Sequence, residues 1–334
     1  MAITIKEIAK LANTSRGTVD RVINHRGGVS KEVEEKVLQI IKENNYQYNQ
    51  YARALVNSKK MYKVGVVLTA YNSDFYTRVL KGVRHSSQKE KNKQLELLTK
   101  VTNYAVKSQL NAINELYDEG IQALIINPIY DNEIKTRLEE INIPIVMIGN
   151  KIEISNLVSF VGCDYYNNGT LAGDVAGIIS NHQKILIITG QTHPLAYEKR
   201  VKGFKDQLSE NQLIDYLKTN DSDKDTYEKV KQYFKQNSAN LIYFSTGNGI
   251  GGGIKAITDL KLDTKVIATD EHPDVITGLK NGQVVITITQ QPEKQGISSV
   301  DIIRKYLILN EVAKKEHIIG NKIKLKHSNF NEIL

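Results

Sequence analysis

Cysteine and long apolar segments are scarce in this chain, and both absences narrow its class. Cys163 is the one cysteine among 334 residues, so the chain can form neither an internal disulfide nor a cysteine-rich metal cluster. No run approaches the ~18 apolar residues of a membrane-spanning helix, and no apolar segment follows a basic start as in a secretion signal. We therefore expect a cytoplasmic protein without membrane insertion.

Positive charge is concentrated at the amino-terminal end. Residues 1–60 hold 11 Lys and Arg against 6 Asp and Glu, whereas the other residues hold 34 against 31, within a total net charge of +8. The chain is long enough for two or three domains, and its 40% apolar content suits globular cores. A small basic unit ahead of a nearly neutral body is typical of an appended nucleic-acid-binding module.

Three short helices are predicted in this basic segment. Thr4 and Glu7 have the spacing of a capping box, which would start the first helix. Ser15 is placed to cap a second helix, and Ser30 to cap a third after a Gly-Gly break. The tight turn between the first two helices indicates a helix-turn-helix bundle, in which the second helix enters the major groove of DNA.

The second helix carries polar side chains where DNA would be read. Arg16 and Gly17 lie at its amino-terminal end, where an arginine can bind guanine bidentately and a glycine allows close backbone approach. Arg21 and Asn24 are placed to hold phosphates, and Asp20 to pair with Arg16 one turn earlier. A solvated, charged face on a small bundle is the alternative.

Residues 3–58 resemble the DNA-binding headpiece of the lac repressor family in register. The matching stretches are ITIKEIAKLANTS, TVDRVIN, VSKEVEEKV and NNYQYNQYARALVNS. The resemblance implies DNA contacts by Thr4, Ile5, Arg16, Gly17, Thr18, Arg21, Asn24 and Ser30, and we include Ser15 and Asp20 in the predicted DNA-binding set. Within that set, Arg16 and Gly17 would be the base-reading pair.

Residues 49–55 resemble the short hinge helix of the same family. The resemblance places Asn49, Ala52, Arg53 and Leu55 against DNA. Leu55 would wedge between base steps and bend the duplex, while the small Ala52 would let the helix approach closely. Tyr48 stands where the family has a proline and Asp20 where it has a serine, so the operator sequence does not follow from the resemblance.

After residue 60 the pattern changes to apolar runs that alternate with helical segments. The runs are KVGVVLT, ALIINPI, IPIVMIG, SFVGCD, KILIITG, LIYFST, KVIATD and VVITITQ. Continuous apolar strands separated by helices predict parallel sheets covered on both faces, and their number predicts two doubly wound α/β lobes. We expect an all-α helix-turn-helix headpiece over 1–45, a hinge helix and linker over 46–60, and a two-lobed effector-binding and dimerisation domain over 61–334.

From about Lys63 to Lys326 the chain resembles the type I periplasmic binding proteins, particularly the ribose-binding branch. The likeness is carried by stretches such as VGVVLTAYNSDFY, VGCDYYNNGTLAGD, TGNGIGGGIKAI, ATDEHPD and ITQQPEKQG. It implies two hinged lobes with a ligand at the carboxyl ends of their strands. The implied ligand-binding residues are Tyr71, Ser73, Phe75, Tyr76, Asn150, Arg200, Asn248, Asp270 and Gln290.

The ligand positions match the ribose-binding pattern only in part. Arg200, Asp270 and Gln290 match positions that bind sugar hydroxyls, and Phe75 and Tyr76 match the rings that sandwich the sugar. The departures are Ser73 for an asparagine, Gly149-Asn150 for an Asp-Arg pair, and Gly247 beside Asn248 for a polar residue. We therefore expect a small polar effector other than ribose, such as another sugar or a polyol, with an unliganded Arg200–Asp270 ion pair as the alternative.

Two further features point to different chemistry. Residues 247–252 satisfy the G-x-G-x-x-G spacing of a dinucleotide site, but their place deep in the chain favours a turn of the ligand cleft. His193 and His272 lie at strand ends, where we prefer a capping or surface role to ligand contact. No H-E-x-x-H motif occurs, and we expect neither a metal nor a cofactor.

Together these features predict a DNA-binding transcription regulator rather than an enzyme. Its homodimer would bind a palindromic operator in double-stranded DNA under the control of a small polar, sugar-like effector. The stretch after Ile319 has no leucine heptad, so we expect a dimer and not a tetramer. The alternatives are a solute-binding protein of a transport system and, on the glycine-rich turn alone, a nucleotide-dependent enzyme.

Overall fold

The computed structural model describes residues 3–23, 28–44, 60–69, 73–89, 93–179, 184–191, 194–209 and 212–330. The chain divides into two compact units. One comprises Met1–Lys60 with Lys305–Val312, and the other comprises Met61–Arg304 with Ala313–Leu334. None of the helices in these described ranges is long and apolar enough to cross a membrane.

The first unit contains the three helices that the capping signals predict. They are α1 (Ile5–Leu11), α2 (Arg16–Ile23) and α3 (Lys31–Glu43). The capping box of α1 is present, and the Ser15 hydroxyl accepts from the amide of Thr18 at 3.0 Å to cap α2. Ser30 occupies the N-cap position of α3, but its side chain makes no capping hydrogen bond, so that part of the prediction is wrong.

A small apolar core holds the three helices together. Its buried residues are Ile8, Ala9, Ala12, Val19, Val22 and Val37. They come from all three helices at spacings of three and four residues, which place them on one face of each helix. The charged side chains of α2 are therefore left on the opposite, exposed face.

The second unit contains two six-stranded sheets, each the centre of one lobe. The first sheet has the order β11-β5-β4-β3-β1-β2 and the second the order β12-β10-β9-β8-β6-β7. The first-lobe strands are β1 (Tyr62–Leu68), β2 (Leu95–Val101), β3 (Ala123–Ile126), β4 (Ile145–Ile148), β5 (Leu157–Cys163) and β11 (Glu316–Ile319). The second-lobe strands are β6 (Ile185–Thr189), β7 (Ile214–Lys218), β8 (Leu241–Phe244), β9 (Lys265–Thr269), β10 (Val284–Thr289) and β12 (Lys322–Lys324).

Helices cover these sheets, as the prediction of doubly wound lobes requires. They are α4 (Asp74–Ser87), α5 (Val106–Asp118), α6 (Asn132–Glu140), α7 (Tyr165–Ile179), α8 (Pro194–Lys205), α9 (Asp223–Tyr233), α10 (Ile250–Asp259), α11 (Pro273–Asn281) and α12 (Pro292–Arg304). A π-helix, Lys305–Leu309, follows α12 in the chain. The predicted fold class is confirmed; the one antiparallel pairing recorded within the described sheets is β10 with β12.

The chain passes between the lobes at three places. It leaves the first sheet after β5 and returns to the first lobe after β10, where α12 packs against α4. It crosses once more between β11 and β12, which belong to different sheets. These crossings bring the ends of β5 and β10 close together beneath the cleft between the lobes.

The sequence pattern found the interior strands and missed the edge strands. Each of the eight predicted runs coincides with an interior strand, whereas β2, β7, β11 and β12 are the four sheet edges. An interior strand of a covered parallel sheet is buried on both faces and reads as an apolar run. Edge strands are partly solvated, as the exposure along β7 and β11 shows, and their mixed composition hides them.

Glycines set the distance between the helix pairs that flank the cleft. A Cβ at Gly82 of α4 would overlap the carbonyl of Glu293 in α12, and a Cβ at Gly296 would overlap the carbonyl of Val79. In the second lobe, a Cβ at Gly169 of α7 would overlap the carbonyl of Arg200 in α8. The backbones of both helix pairs can approach this closely only because no side chain intervenes.

We expect Gly82→Ala to destabilise the protein by about 1–3 kcal/mol, since the added methyl group forces α4 and α12 apart. Gly177→Ala is the matched control, because Gly177 is also a helical glycine and its nearest neighbour would lie 4.0 Å from the added Cβ. The control should gain up to about 1 kcal/mol from helix propensity. Urea unfolding of both variants measures the difference, and equal effects would contradict the packing argument.

Candidate functional site

The amino-terminal end of α2 presents the predicted base-reading pair to solvent. Arg16 and Gly17 are both exposed, and the nearest atom to a Cβ built on Gly17 is Oγ of Ser15 at 3.6 Å. The hydroxyls of Ser15 and Thr18 lie 2.9 Å apart, so both are engaged in holding the helix terminus. The pair thus stands on a helix end whose backbone is fixed by its own cap.

The start of α1 is held by reciprocal hydrogen bonds between Thr4 and Glu7. The backbone amide and the hydroxyl of Thr4 both donate to Oε2 of Glu7 at 2.8 Å. These hydrogen bonds lower the pKa of Glu7, so its carboxylate stays ionised at the positive end of the helix dipole. Ile5, the neighbouring predicted DNA contact, is partly buried against the headpiece core.

The remaining predicted DNA contacts are distributed over the rest of the headpiece. The guanidinium of Arg21 lies beside Gly28, and Ser30 is exposed ahead of α3. Asp20 is partly buried on α2, and its pairing with Arg16 stays a prediction. Five of the predicted contacts lie outside the described residues: Asn24, Asn49, Ala52, Arg53 and Leu55.

A cleft lies between the two lobes at the carboxyl ends of their strands and encloses about 630 Å³ including its mouth. Seven of the nine predicted ligand residues line it: Ser73, Phe75, Tyr76, Arg200, Asn248, Asp270 and Gln290. Tyr71 lies outside the described residues. Asn150 is 2% exposed and its side-chain amide donates to the carbonyl of Pro128 at 2.9 Å, so the structure places it behind the cleft wall.

Asp270 and Gln290 form a hydrogen-bonded pair on the second-lobe side of the cleft. Nε2 of Gln290 donates to Oδ2 of Asp270 at 2.7 Å, and the Gln290 backbone amide lies 3.3 Å from Oδ1. Asp270 has a φ of +66°, an uncommon backbone conformation for a residue other than glycine. Burial raises the pKa of Asp270, although Arg200 and the Gln290 hydrogen bonds act in the opposite direction.

Arg200 reaches the cleft from α8 and is 3% exposed. Its Nη1 donates to the carbonyl of Ser245 at 2.9 Å, and its guanidinium lies 5.1 Å from the ring centre of Tyr165. Within the described part of the chain, its buried Nε has no hydrogen-bond acceptor. Burial by itself would lower the pKa of Arg200. Its neighbours, led by Cys163 and Asp270, raise the pKa by a larger amount, so the net shift is upward. The cleft wall therefore holds a cation of which one buried N–H, that of Nε, lacks an acceptor among the described residues.

The predicted aromatic pair packs ring against ring at the cleft, and its contact with a sugar stays a prediction. The rings of Phe75 and Tyr76 meet edge to face, with centroids 5.0 Å apart at 85°, so they pack on each other and do not form two parallel plates. Tyr76 is 3% exposed, and burial raises the pKa of its hydroxyl. A Cβ at Gly149 would lie 2.5 Å from that hydroxyl. Gly149, one of the departures from the ribose-binding pattern, thus makes room for Tyr76.

Two polar contacts that the sequence did not predict join the lobes across the cleft mouth, one made by the guanidinium of Arg78 and one by the imidazole of His272. Arg78 of α4 donates to both carboxylate oxygens of Glu293, and its Nη1 lies 3.3 Å from Glu271 of the second lobe. Nε2 of His272 lies 3.3 Å from the carboxylate of Asp74. The sequence pointed to these contacts only through position, since Glu271 and His272 directly follow Asp270, the predicted cleft residue after β9.

His272 also has the predicted capping role. Its Nδ1 accepts from the amide of Asp274 at 3.3 Å and caps α11. The other histidine considered for the cleft, His193, lies outside the described residues. Within the ranges that the structure covers, His, Cys, Asp and Glu form no group that could hold a metal ion.

The glycine-rich turn packs against a helix of its own lobe. The amide of Gly252 donates a hydrogen bond to Oδ1 of Asp223 at 2.9 Å. A Cβ at Gly252 would overlap the Asp223 carbonyl, so the glycine serves the contact between α9 and α10. A carboxylate therefore sits where a dinucleotide-binding turn would hold phosphate, whereas the adjacent Gly247 and Asn248 line the cleft.

Two known protein families match separate parts of the chain. Residues 64–311 match the periplasmic binding protein domain family, and residues 4–49 match the family described as bacterial regulatory proteins, lacI family. The boundary between the matches lies in the segment that joins the headpiece to the two lobes.

Curated relatives match this chain over differing lengths. The ribose operon repressor of Haemophilus influenzae is 30% identical over 63% of this chain and 61% of its own length. The regulator MalR of Streptococcus pneumoniae is 25% identical over 94% of this chain and 100% of its own length. The matches to the first relatives span only about six-tenths of those proteins, 61% for the ribose operon repressor and 61% for AscG of Escherichia coli.

Solved structures resemble the two-lobed part. A solute-binding protein from Actinobacillus succinogenes with bound D-allose has a TM-score of 0.69 at 18% identity, covering 79% of this chain and 98% of that one. A solute-binding protein from Bacillus halodurans with bound myo-inositol has a TM-score of 0.70 at 17% identity, covering 80% and 95%. At these identities the likeness establishes the fold of the lobes.

Asp270 should make stability depend on pH. Because folding raises the pKa of Asp270 above its ordinary value of 3.8, the folded chain binds more protons than the unfolded chain in the range above 3.8. The free energy of unfolding contributed by this group therefore falls as pH rises through the raised pKa. We expect the melting temperature of the unsubstituted protein, minus that of Asp270→Asn, to decrease over this range. A difference that stays constant with pH would contradict the assignment.

Proposed function

Since this chain belongs to the periplasmic binding protein domain family and carries a lacI-family regulatory domain ahead of it, we propose that it is a transcription regulator controlled by a small polar effector. The joining of these two domains in one chain is the observation that carries the proposal. A solute-binding protein of a transport system would use the lobes and have no role for an exposed Arg16 on a capped helix. Action on DNA implies a cytoplasmic location.

The headpiece would bind double-stranded operator DNA through α2. One such helix reads few base pairs, so we infer a homodimer that places two headpieces on the half-sites of a palindromic operator. Arg16 and Gly17 would meet base edges, while Thr4, Arg21 and Ser30 would hold the backbone. The proposed organisation is a DNA-binding domain over 1–45, a hinge over 46–60 with Leu55 as the minor-groove wedge, and an effector and dimer domain over 61–334.

The cleft charges favour an effector without net charge. The ionisable acids and bases among its lining residues are Asp74, Arg78, Arg200, Asp270, Glu271 and His272. Three carboxylates thus face two guanidinium groups and one imidazole, and Arg78 is further neutralised by Glu293. A phosphorylated metabolite would meet no excess of positive charge, whereas a neutral polyhydroxyl compound can accept from the guanidinium of Arg200 and donate to Asp270, both of which line the cleft. We infer a sugar or polyol.

Effector binding would act by favouring the closed cleft. Closure makes the Arg78–Glu271 and Asp74–His272 pairs, which join the first lobe to the second. A hinge motion of this kind moves one lobe relative to the other and can change the spacing of two headpieces in a dimer. A hundredfold change in operator affinity requires about 2.7 kcal/mol of differential binding, which is within the range of allosteric coupling.

Arg16→Ala should relax operator preference, with a loss of about 1–3 kcal/mol on the selected sequence and a smaller loss on random DNA. Arg21→Ala is the matched control, because the loss of a phosphate-binding arginine on the same helix should weaken binding to both DNAs equally. A random-library selection supplies the operator, and salt-controlled titrations of both variants measure the two affinities. Equal losses for Arg16→Ala on both DNAs would contradict the base-reading role, and the absence of any selected sequence would overturn the DNA proposal.

A neutral sugar or polyol should stabilise the full chain against heat. The panel is D-ribose, D-allose, D-galactose and myo-inositol, with D-ribose 5-phosphate as the charged comparison. A member present at a hundred times its dissociation constant adds about 2.7 kcal/mol to the free energy of unfolding. Arg200→Met should abolish this shift, while Arg137→Met, at a half-buried position of α6 that does not line the cleft, should retain it.

The thermal-shift experiment separates the effector classes. Stabilisation by a neutral compound and none by the phosphate supports the charge argument. A larger shift with D-ribose 5-phosphate than with D-ribose, or an unchanged shift in Arg200→Met, would contradict it. Stabilisation by nicotinamide dinucleotides in place of sugars would favour the enzyme alternative.

A further inference from the structure

The single cysteine lies where two of the interlobe crossings meet. Cys163 ends β5, and Gln290 directly follows the last residue of β10. Sγ of Cys163 lies 3.2 Å from Oε1 of Gln290. Cys163 is 3% exposed and Gln290 is 5% exposed. The two segments through which the chain leaves and re-enters the first lobe are therefore joined side chain to side chain.

The hydrogen bonds around Gln290 fix which end of its amide faces which neighbour. A carboxylate accepts hydrogen bonds only, so the amide nitrogen must face Oδ2 of Asp270, from which it lies 2.7 Å away. The amide oxygen then faces Cys163, and the thiol must be the donor. Burial raises the pKa of Cys163 to about 12, so the sulfur keeps its proton near neutral pH.

We propose that Cys163 is a positioning residue of the effector cleft, because its thiol donates to Oε1 of Gln290 and holds the amide with Nε2 toward Asp270. This inference rests on the proposed function in that the cleft is taken to bind the effector. Without the thiol, Oε1 would lose its donor, and the Gln290 amide could rotate out of the orientation that serves Asp270.

The arrangement determines what Gln290 can offer to an effector. One N–H is used by Asp270 and one lone pair of the oxygen is used by the thiol, so the remaining N–H is the donor that Gln290 can offer to the cleft. Asp270 acts as an acceptor. An effector should therefore place a hydrogen-bond acceptor at Gln290 next to a hydroxyl that donates to Asp270, the pairing that vicinal hydroxyls of a sugar or polyol supply.

Raman spectroscopy of the full chain tests the thiol hydrogen bond without any effector. The S–H stretching band lies apart from other protein bands, and with one cysteine it reports on Cys163 alone. We expect the band of the folded protein at lower frequency than that of the urea-unfolded protein, and we expect Gln290→Leu to shift it upward. Gln291→Ala is the matched control, since Nε2 of Gln291 donates to the carbonyl of Gly320 and should leave the band unchanged.

A double-mutant cycle in urea unfolding tests whether Cys163 acts through Gln290. A hydrogen bond of ordinary strength predicts that Cys163→Ala and Gln290→Leu together change the unfolding equilibrium constant by about fivefold less than the product of their separate effects. Val161→Ala, a buried position on the same strand, should combine with Gln290→Leu without such coupling.

The outcomes separate this inference from the effector proposal. A folded-state band at the unfolded position, no response to Gln290→Leu, or multiplicative effects in the cycle would overturn the positioning role of Cys163. The band shift together with coupling supports it, whether or not any member of the sugar panel binds. A panel without binders would count against the effector class alone.

Discussion

The half-buried carboxylate at the carboxyl end of β9 must be balanced by its neighbours, because partial burial raises the free energy of its charged form. That requirement organises the cleft. Asp270 is balanced by two hydrogen bonds from Gln290 and by the charge of Arg200. Gln290 can serve it only in one amide orientation, and Cys163 supports that orientation from the neighbouring crossing. The polar side chains of the cleft and the contact between the two interlobe crossings thus form one hydrogen-bonded network.

The approach of helices to one another places the groups of that network. Arg200 reaches the cleft because α8 lies against α7 at a distance that Gly169 allows, and Gly82 permits the matching contact in the first lobe. A well-packed interior does not tolerate even one extra methylene without displacement. Small shifts in these helix pairs would therefore move the guanidinium of Arg200 relative to Asp270.

The headpiece reaches its functional form by simpler means. Thr4 and Glu7 close the first helix and Ser15 closes the second, so the backbone ends are satisfied without help from the rest of the protein. The apolar residues of the three helices face inward, and Arg16 is left exposed at a helix start. A positive side chain at the positive end of a helix dipole gains nothing within the protein, which is consistent with a phosphate-rich partner.

The sequence by itself determined the features that local physical chemistry controls. Capping residues and helical periodicity sufficed for the headpiece, and continuous apolar runs sufficed for the eight interior strands, because burial on both faces leaves no place for polar residues. Most of the cleft residues were predictable only through the resemblance to the periplasmic binding proteins, and seven of the nine line the cleft. Only the tertiary structure decided the edge strands, whose partial solvation removes the apolar signal. It also decided the Arg78–Glu271 pair, the fit of Tyr76 against Gly149 and the thiol beneath Gln290. These contacts join residues far apart in the chain, and no pattern of neighbouring residues encodes such a distance.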